Sequence, residues 1–162
     1  MAKSNPKKGK PEEEIQVVCR NKRATFDYEI VDKLECGLVL CGTEVKSLRE
    51  GMASLEDAYA KVEDGEVWLI GAEIPEYSMG NRQNHRPKRP RKLLLHRSEI
   101  ARFAGKAAQR GFTLVPLRLY FRRGLAKVEL AVARGKQMHD KREATKQREA
   151  ERTIRQAMMR RR

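Results

Sequence analysis

Asp64-Gly65 lies between two stretches of strand-forming residues, Tyr59 to Glu63 and Glu66 to Ile74. An Asp-Gly pair flanked in this way is the strongest short-range signal for a tight β-hairpin, because both turn positions accept positive φ. Other stretches of the chain carry the same period of two. Phe26, Tyr28 and Ile30 alternate with Asp27 and Glu29, the pattern of a half-buried strand. Glu35-Cys36-Gly37 then reads as a turn, followed by a more fully buried strand at Leu38-Val39-Leu40-Cys41. Phe112 to Phe121 carries Leu117, Leu119 and Phe121 on one face, and Arg123-Gly124 turns the chain into Ala126 to Ala133. Pro116 puts its stretch at an edge or a bulge, since it has no N–H for a ladder. Val17 and Val18 open the order near Ile15. Strand–helix–strand alternation is missing, so the pattern predicts a mainly β fold: a small closed antiparallel barrel of six or seven short strands with flanking short helices.

Two helices are expected beside these strands. Gly42-Thr43 starts one, with Val45 and Leu48 inward and Gly51 just past its end. The other has Ser98 as N-cap, a face of Ile100, Phe103, Ala104 and Ala107, and Gly111 as its stop. Three segments follow: a disordered basic arm at residues 1–14, a barrel at 15–134 and a tail at 135–162. Beyond Lys136 the tail has no Gly or Pro and is built of Ala, Glu, Gln, Lys and Arg. Its apolar stripe, Ala150, Ile154, Ala157 and Met158, is too narrow for a core, so a tail disordered in isolation and helical against a partner is expected.

The formal charge of +14 is segregated. Residues 15–81 hold 7 basic and 13 acidic side chains, residues 98–134 hold 8 and 2, and residues 135–162 hold 10 and 4. Arg82 to Arg97 holds seven Lys or Arg and no carboxylate. Pro87 and Pro90 make this stretch an exposed cationic loop, which Leu93, Leu94 and Leu95 tie to the core. That is the form of an electrostatic footprint for nucleic acid. No apolar run approaches the ~20 residues of a membrane span. Cys19, Cys36 and Cys41 form no CxxC pair, which argues for buried or half-buried thiols in a reducing cytoplasm rather than zinc or disulfides.

The motifs of catalysis are missing too: there is no Gly-rich phosphate loop, nucleophile elbow or HExxH. Glu44, Glu56 and Asp57 read as solvated or capping carboxylates. His85, His96 and His139 lie among cations, which favour a neutral ring able to stack or hydrogen-bond. The chain reads as a binding protein without cofactor, monomeric by default, and not an enzyme. Three alternatives stand on residues alone. A barrel could dock a folded RNA while the tail enters a second RNA site; the chain could be a general basic RNA chaperone; or an acidic pair could serve a transferase or nuclease.

Six strings, NKRATFDYEI, GLVLCGTEVKSLREG, DGEVWLIGAEI, GNRQNHRPKRPRKLLLH, GFTLVPLRLYF and ARGKQMHDKRE, resemble the bacterial small protein B family. They run in family order from about Asn21 to Glu143. The resemblance implies an oligonucleotide-binding (OB) type β-barrel that binds the tRNA-like part of transfer-messenger RNA. It implies partnership with small-subunit ribosomal RNA and, through the RNA, with alanyl-tRNA synthetase and elongation factor Tu, in the rescue of stalled ribosomes by trans-translation. By motif, it assigns RNA contacts to Asn21, Lys22, Arg23, Glu35, Lys92, Leu94 and His96. It assigns the decoding centre to Gly135, Lys136, His139, Asp140, Lys141 and Arg142, and the vacant mRNA channel to Ala157 and Met158. Phe26, where many relatives carry His, and Gln137, where a second basic residue is usual, depart from the family pattern.

Overall fold

The computed structural model describes residues 15–160, so the arm expected at residues 1–14 lies outside the described residues. Among these, seven strands form one antiparallel sheet: β1 (Ile15–Arg20), β2 (Tyr28–Leu38), β3 (Tyr59–Glu63), β4 (Glu66–Ile70), β5 (Arg91–Leu94), β6 (Phe112–Arg122) and β7 (Leu125–Gly135). Their order is β1-β6-β3-β4-β5-β2-β7, and β7 also pairs with β6, which closes the ring. Closure gives nearly every inner strand two neighbours and hides the unpaired edges an open sheet would expose. The expected barrel is therefore present. Its interior is packed with Cys36, Leu38, Leu69, Leu93, Leu119, Val128 and Leu130, to which α2 (Gly42–Arg49) adds Leu48 and α3 (Arg97–Ala107) adds Phe103. Asp64 and Gly65, at φ 50° and 74°, make the β3–β4 turn that the sequence predicts.

Several local expectations are corrected. Phe26 is not in a strand: Lys22–Asp27 is a helix, α1, and β2 begins only at Tyr28. Asn21 caps α1 by accepting from the Ala24 N–H at 3.0 Å, and its amide donates to the carbonyls of Leu55 (2.8 Å) and Pro116 (3.2 Å). Those tertiary bonds outweigh the local alternation of apolar residues. Glu35-Cys36-Gly37 is not a turn, for β2 runs straight through it to Leu38, paired along β7 and against Leu93 and Leu94 of β5. β4 ends at Ile70 rather than Ile74. α3 starts after His96 rather than Ser98, because Glu99 reaches back to accept from the His96 N–H at 2.9 Å.

Pro116 does mark a bulge, with a register shift between Pro116 and Arg118 against β7. The extra residue is Leu117, and it changes which side chains face outward. Val115 and Leu117 lie outside the barrel under α1, packed with Ala24, Ala131 and Ala133. Leu119 and Phe121 face the main core. Leu117 therefore does not share a face with them as expected. Asn21 binds the bulge: besides its amide bond to Pro116, its N–H donates to the Leu117 carbonyl at 2.7 Å.

Met138–Arg160 of the tail forms a helix, α4. Its interior of Ala, Glu, Gln, Lys and Arg has high helix propensity. Its base also has a docking point: Lys141 pairs with Asp27 at 3.0 Å, and the Arg148 guanidinium lies 5.3 Å from the Phe26 ring centre.

Candidate nucleic-acid interface

In β2 the core takes Leu34, Cys36 and Leu38, which leaves Glu35 and Gly37 on the outer face. Register then assembles a polar surface around them. Lys127 and Glu129 of β7 lie opposite Gly37 and Glu35, and Tyr120 and Arg118 of β6 lie opposite Lys127 and Glu129. The bulge at Pro116 is what allows Arg118, Tyr120 and Arg122 to face outward while Val115 and Leu117 stay beneath α1.

Glu35 is the hub of this face. It accepts from the Tyr120 hydroxyl at 2.5 Å and from Arg122 Nη1 at 3.1 and 3.2 Å, and Lys127 Nζ is 3.9 Å away. Burial alone would raise its carboxyl pKa, but the hydrogen bonds from Tyr120 and Arg122 outweigh burial and hold it below the usual carboxylate range. Burial, with the bond to Glu35 added, pushes the Tyr120 hydroxyl well above its ordinary value. Arg118 lies 4.9 Å over the Tyr120 ring and pairs with Glu129 at 3.1 Å. The carboxylates thus fix the orientation of the cations around them.

Leu94 pairs with Gly37 across β2 and β5 and is 52% exposed. A Cβ at Gly37 would sit 3.1 Å from Leu94 Cβ, so the glycine lets the leucine lie across the strand. A concavity of about 410 Å³ results, walled by Glu35, Gly37, Leu94, Leu95, His96, Glu99 and Lys127. His96 is exposed at its rim, on the cap of α3. Three residues assigned by motif, Glu35, Leu94 and His96, therefore meet in one place. Lys92 is on the other side of Leu94, paired with Glu66, in a second groove that shares Leu94 and Leu95.

The other assigned residues do not join this surface. The Asn21 side chain is buried and consumed by its three hydrogen bonds, so it positions backbone and is not available for direct contact. Lys22 and Arg23 are exposed on α1, where Arg23 faces Asp27 at 3.4 Å and Asp57 at 3.6 Å. Gly135 ends β7 opposite Tyr28, and Lys136 Nζ donates to the Thr25 carbonyl at 3.2 Å. Asp140, Arg142, Ala157 and Met158 are exposed along α4. The side chain of His139 lies outside the described residues.

The cationic loop also needs correcting. Arg82, Arg86 and Lys88 are exposed as expected, but Arg91 is fully buried and Arg89 largely so. Both bind Glu44, itself buried: Arg91 Nε at 2.9 Å, Arg89 Nε at 2.7 Å and Arg89 Nη2 at 2.6 Å. His85 is buried as well, with Nε2 donating to the Ile74 carbonyl at 2.9 Å and Nδ1 2.9 Å from the Thr43 hydroxyl. A charge run in sequence gives no sign of which cations a distant carboxylate will draw inside. Glu44 is therefore an internal brace, not a solvated or merely capping group. Cys41 is exposed rather than half-buried, while burial pushes the Cys36 thiol up to about 12.

Sequence reasoning missed Gly37, Tyr120, Arg122 and Lys127. Their signal was present in part, since Arg118, Tyr120 and Arg122 alternate once Pro116 is allowed its bulge.

Comparison with known proteins shows the family and the fold. A profile described as SmpB protein matches residues 18–160. The SsrA-binding protein of Corynebacterium jeikeium is 61% identical over 145 residues, covering 90% of this chain and 79% of that protein. That of Acidothermus cellulolyticus is 58% identical over 146 residues, covering 90% and 92%. A chain from a solved structure described as "tmRNA-SmpB: a journey to the center of the bacterial ribosome" superposes with a TM-score of 0.64 at 48% identity, over 78% of this chain and 93% of that one.

Proposed function

Because the chain belongs to the SmpB family, we propose that it binds the tRNA-like domain of transfer-messenger RNA and delivers it to stalled ribosomes for trans-translation. The observation that supports the site is the convergence of Glu35, Leu94 and His96, from separate strings, on one concavity with Lys127. Exposed Leu94 and His96 offer an apolar edge and a ring to unstacked bases, while Arg122 and Lys127 supply cations for phosphate. Glu35 serves less as a phosphate contact, where its charge is unfavourable, than as the anchor that orients Tyr120 and Arg122. Its remaining acceptor capacity suits base or ribose donors.

Labour divides between two segments. The barrel at 15–134 reads RNA shape. The tail at 135–162 enters the decoding centre through Gly135, Lys136, His139, Asp140, Lys141 and Arg142, and the vacant mRNA channel through Ala157 and Met158. Lys22, Arg23 and Lys92 extend the contact along the flanks of the barrel. The chain holds and presents RNA in the cytoplasm and makes or breaks no bond itself.

Binding to transfer-messenger RNA and to an ordinary tRNA, measured across a salt series, tests this reading. The expected result is a preference that persists at high salt, where charge-only binding collapses. His96→Ala and Glu35→Gln should each weaken transfer-messenger RNA binding by about 1–2 kcal/mol. Gln is chosen at 35 because it still accepts from the Tyr120 hydroxyl. Equal affinity of wild type and both variants would refute the site.

A further inference from the structure

Arg82, Arg86 and Lys88 are the cations of the loop that the fold leaves outside, and the proposed function gives them no role. The segment that carries them is held firmly. Arg89 and Arg91 are fixed to Glu44 of α2, and His85 sits 2.9 Å from both the Thr43 hydroxyl and the Ile74 carbonyl. Asn84 donates to the Tyr77 carbonyl at 2.8 Å, and its Oδ1 accepts from the N–H groups of Tyr77 (3.2 Å) and His85 (3.1 Å). Gly80 packs so closely on this knot that a Cβ there would lie 2.6 Å from Asn84 Nδ2. The Ile74 N–H donates to the Pro87 carbonyl at 3.0 Å, and the Ser47 hydroxyl of α2 donates to the Pro75 carbonyl at 2.8 Å. The loop is thus clamped to α2 and to itself.

Its exposed cations are not neutralised from within. Among the described residues, the Arg82 and Arg86 side chains meet no carboxylate, and Lys88 lies 3.6 Å from an exposed Glu73. Elsewhere the outward cations are paired: Arg118 with Glu129, Arg122 with Glu35 and Lys92 with Glu66. Lys46 and Arg49, exposed on α2, add two more positive charges beside the loop. Like charges held rigidly together repel one another, and a polyanion laid across them relieves that repulsion.

The place of the loop says which polyanion. α2 follows β2 and the loop leads into β5, so both lie at the Leu38 end of β2. Leu94 pairs with Gly37 next to that end, where Lys127 also lies opposite Gly37. The tail leaves from Gly135, opposite Tyr28 at the other end of β2, roughly 33 Å of strand away. An RNA seated on the Leu94 concavity therefore extends over the loop, while one that holds the tail does not.

We propose that Arg82, Arg86 and Lys88, with Lys46 and Arg49 beside them, form a preorganised rim that grips the phosphate backbone of the transfer-messenger RNA seated on the Leu94 concavity. The rim binds by charge held in fixed positions, and the concavity beside it meets the bases. The inference rests on the proposed function of that concavity.

Binding of the full chain to transfer-messenger RNA across a salt series tests the rim. Arg82→Gln, Arg86→Gln and Lys88→Gln together should lower the slope of log K against log salt by about 2–3, as three lost phosphate contacts require, with Tm unchanged. Lys146→Gln, Arg152→Gln and Arg155→Gln, exposed on α4, remove the same charge far from the rim and should shift the slope by less than about 1. A wild-type slope in the rim variant, or an equal loss in both triple variants, overturns the proposal. Asn84→Ala loosens the loop without changing its charge and should weaken binding by about two- to tenfold at an unchanged slope. Full affinity in that variant would overturn the preorganisation. Isolated small ribosomal subunits should bind the rim variant as they bind wild type, and a loss confined to subunits would give the rim to ribosomal RNA and overturn the assignment. A wild-type chain that fails to prefer transfer-messenger RNA over ordinary tRNA at high salt would refute the concavity instead, and the slope comparison does not depend on that preference.

Discussion

Glu44→Gln is the most informative single change in the core. Glu44 Oε1 accepts from Arg91 Nε (2.9 Å) and Arg89 Nε (2.7 Å), and Oε2 accepts from Arg89 Nη2 (2.6 Å) and the Cys41 N–H (2.8 Å). A glutamine fits the space but turns one oxygen into an NH₂ facing donors, and it removes the carboxylate charge that opposes Arg91. Arg89 is 29% exposed and can swing to water, whereas Arg91 is 0% exposed and cannot. Arg91 retains the carbonyls of Ala72 (2.7 Å), Arg89 (3.1 Å) and Pro87 (2.9 Å), so its donors stay largely satisfied while its charge does not. Breaking a buried pair from one side costs about 3–5 kcal/mol. For a chain of this size that lowers Tm by roughly 6–20 °C. Urea unfolding at pH 7 should show the loss as a lower midpoint with an unchanged slope.

The acid limb gives a second check. Burial would raise the Glu44 pKa, but the bonds from Arg89, the Cys41 N–H and Arg91 outweigh it, so the folded pKa is depressed. A depressed carboxyl contributes stability above its unfolded value, about 4.3, and loses it as pH falls through the folded value. The gap between wild type and Glu44→Gln should therefore be full at neutral pH and narrow below about pH 4. A Tm within about 2 °C of wild type would mean that Arg91 is adequately solvated by its carbonyls alone, and the brace argument would fail.

Three other outcomes follow from the geometry. Asn21→Ala strips the α1 cap and leaves the Pro116 and Leu55 carbonyls short of a donor, so urea unfolding should show a loss of about 2–4 kcal/mol with RNA affinity of the folded protein unchanged; a selective loss of RNA binding without destabilisation would return Asn21 to the interface. Gly37→Ala puts a Cβ 3.1 Å from Leu94 Cβ, displacing Leu94, so filter binding should show transfer-messenger RNA affinity weakened by about 1 kcal/mol; unchanged affinity would remove Leu94 from the site. Truncation after Arg134 removes ten basic and four acidic residues and should abolish peptide tagging while preserving transfer-messenger RNA binding at matched salt; loss of that binding would mean the barrel is not the reader.

What the sequence made legible was local. The Asp64-Gly65 hairpin, the α3 face and the bulge at Pro116 each depend on a few neighbouring residues whose chemistry leaves little choice. What it hid was set by partners far along the chain. Phe26, Tyr28 and Ile30 suggest a strand until Asn21 bonds to Leu55 and Pro116, 34 and 95 residues away. Gly37 suggests a turn until β5 brings Leu94 across it. Arg91 suggests a solvated cation until Glu44, 47 residues earlier, takes it inside. The motif resemblance singled out Glu35, Leu94 and His96, which the fold brings to one concavity, and Asn21, whose side chain the fold buries against the bulge.

The carboxylates explain how a strongly basic chain can discriminate among RNAs. A net charge of +14 spread loosely over the surface would bind any polyanion and lose it steeply with salt. Here Glu35 holds Arg122 and neighbours Lys127, Glu129 holds Arg118, Glu66 holds Lys92, and Asp27 holds Lys141. Such partly exposed pairs are worth only about 0–1 kcal/mol each, little enough for a phosphate to displace or share them. Their effect is on geometry: each guanidinium or ammonium group waits in a set place, and an RNA whose phosphates do not fall there must break pairs without replacement. Charge attracts RNA, and the carboxylates make the attraction conditional on shape.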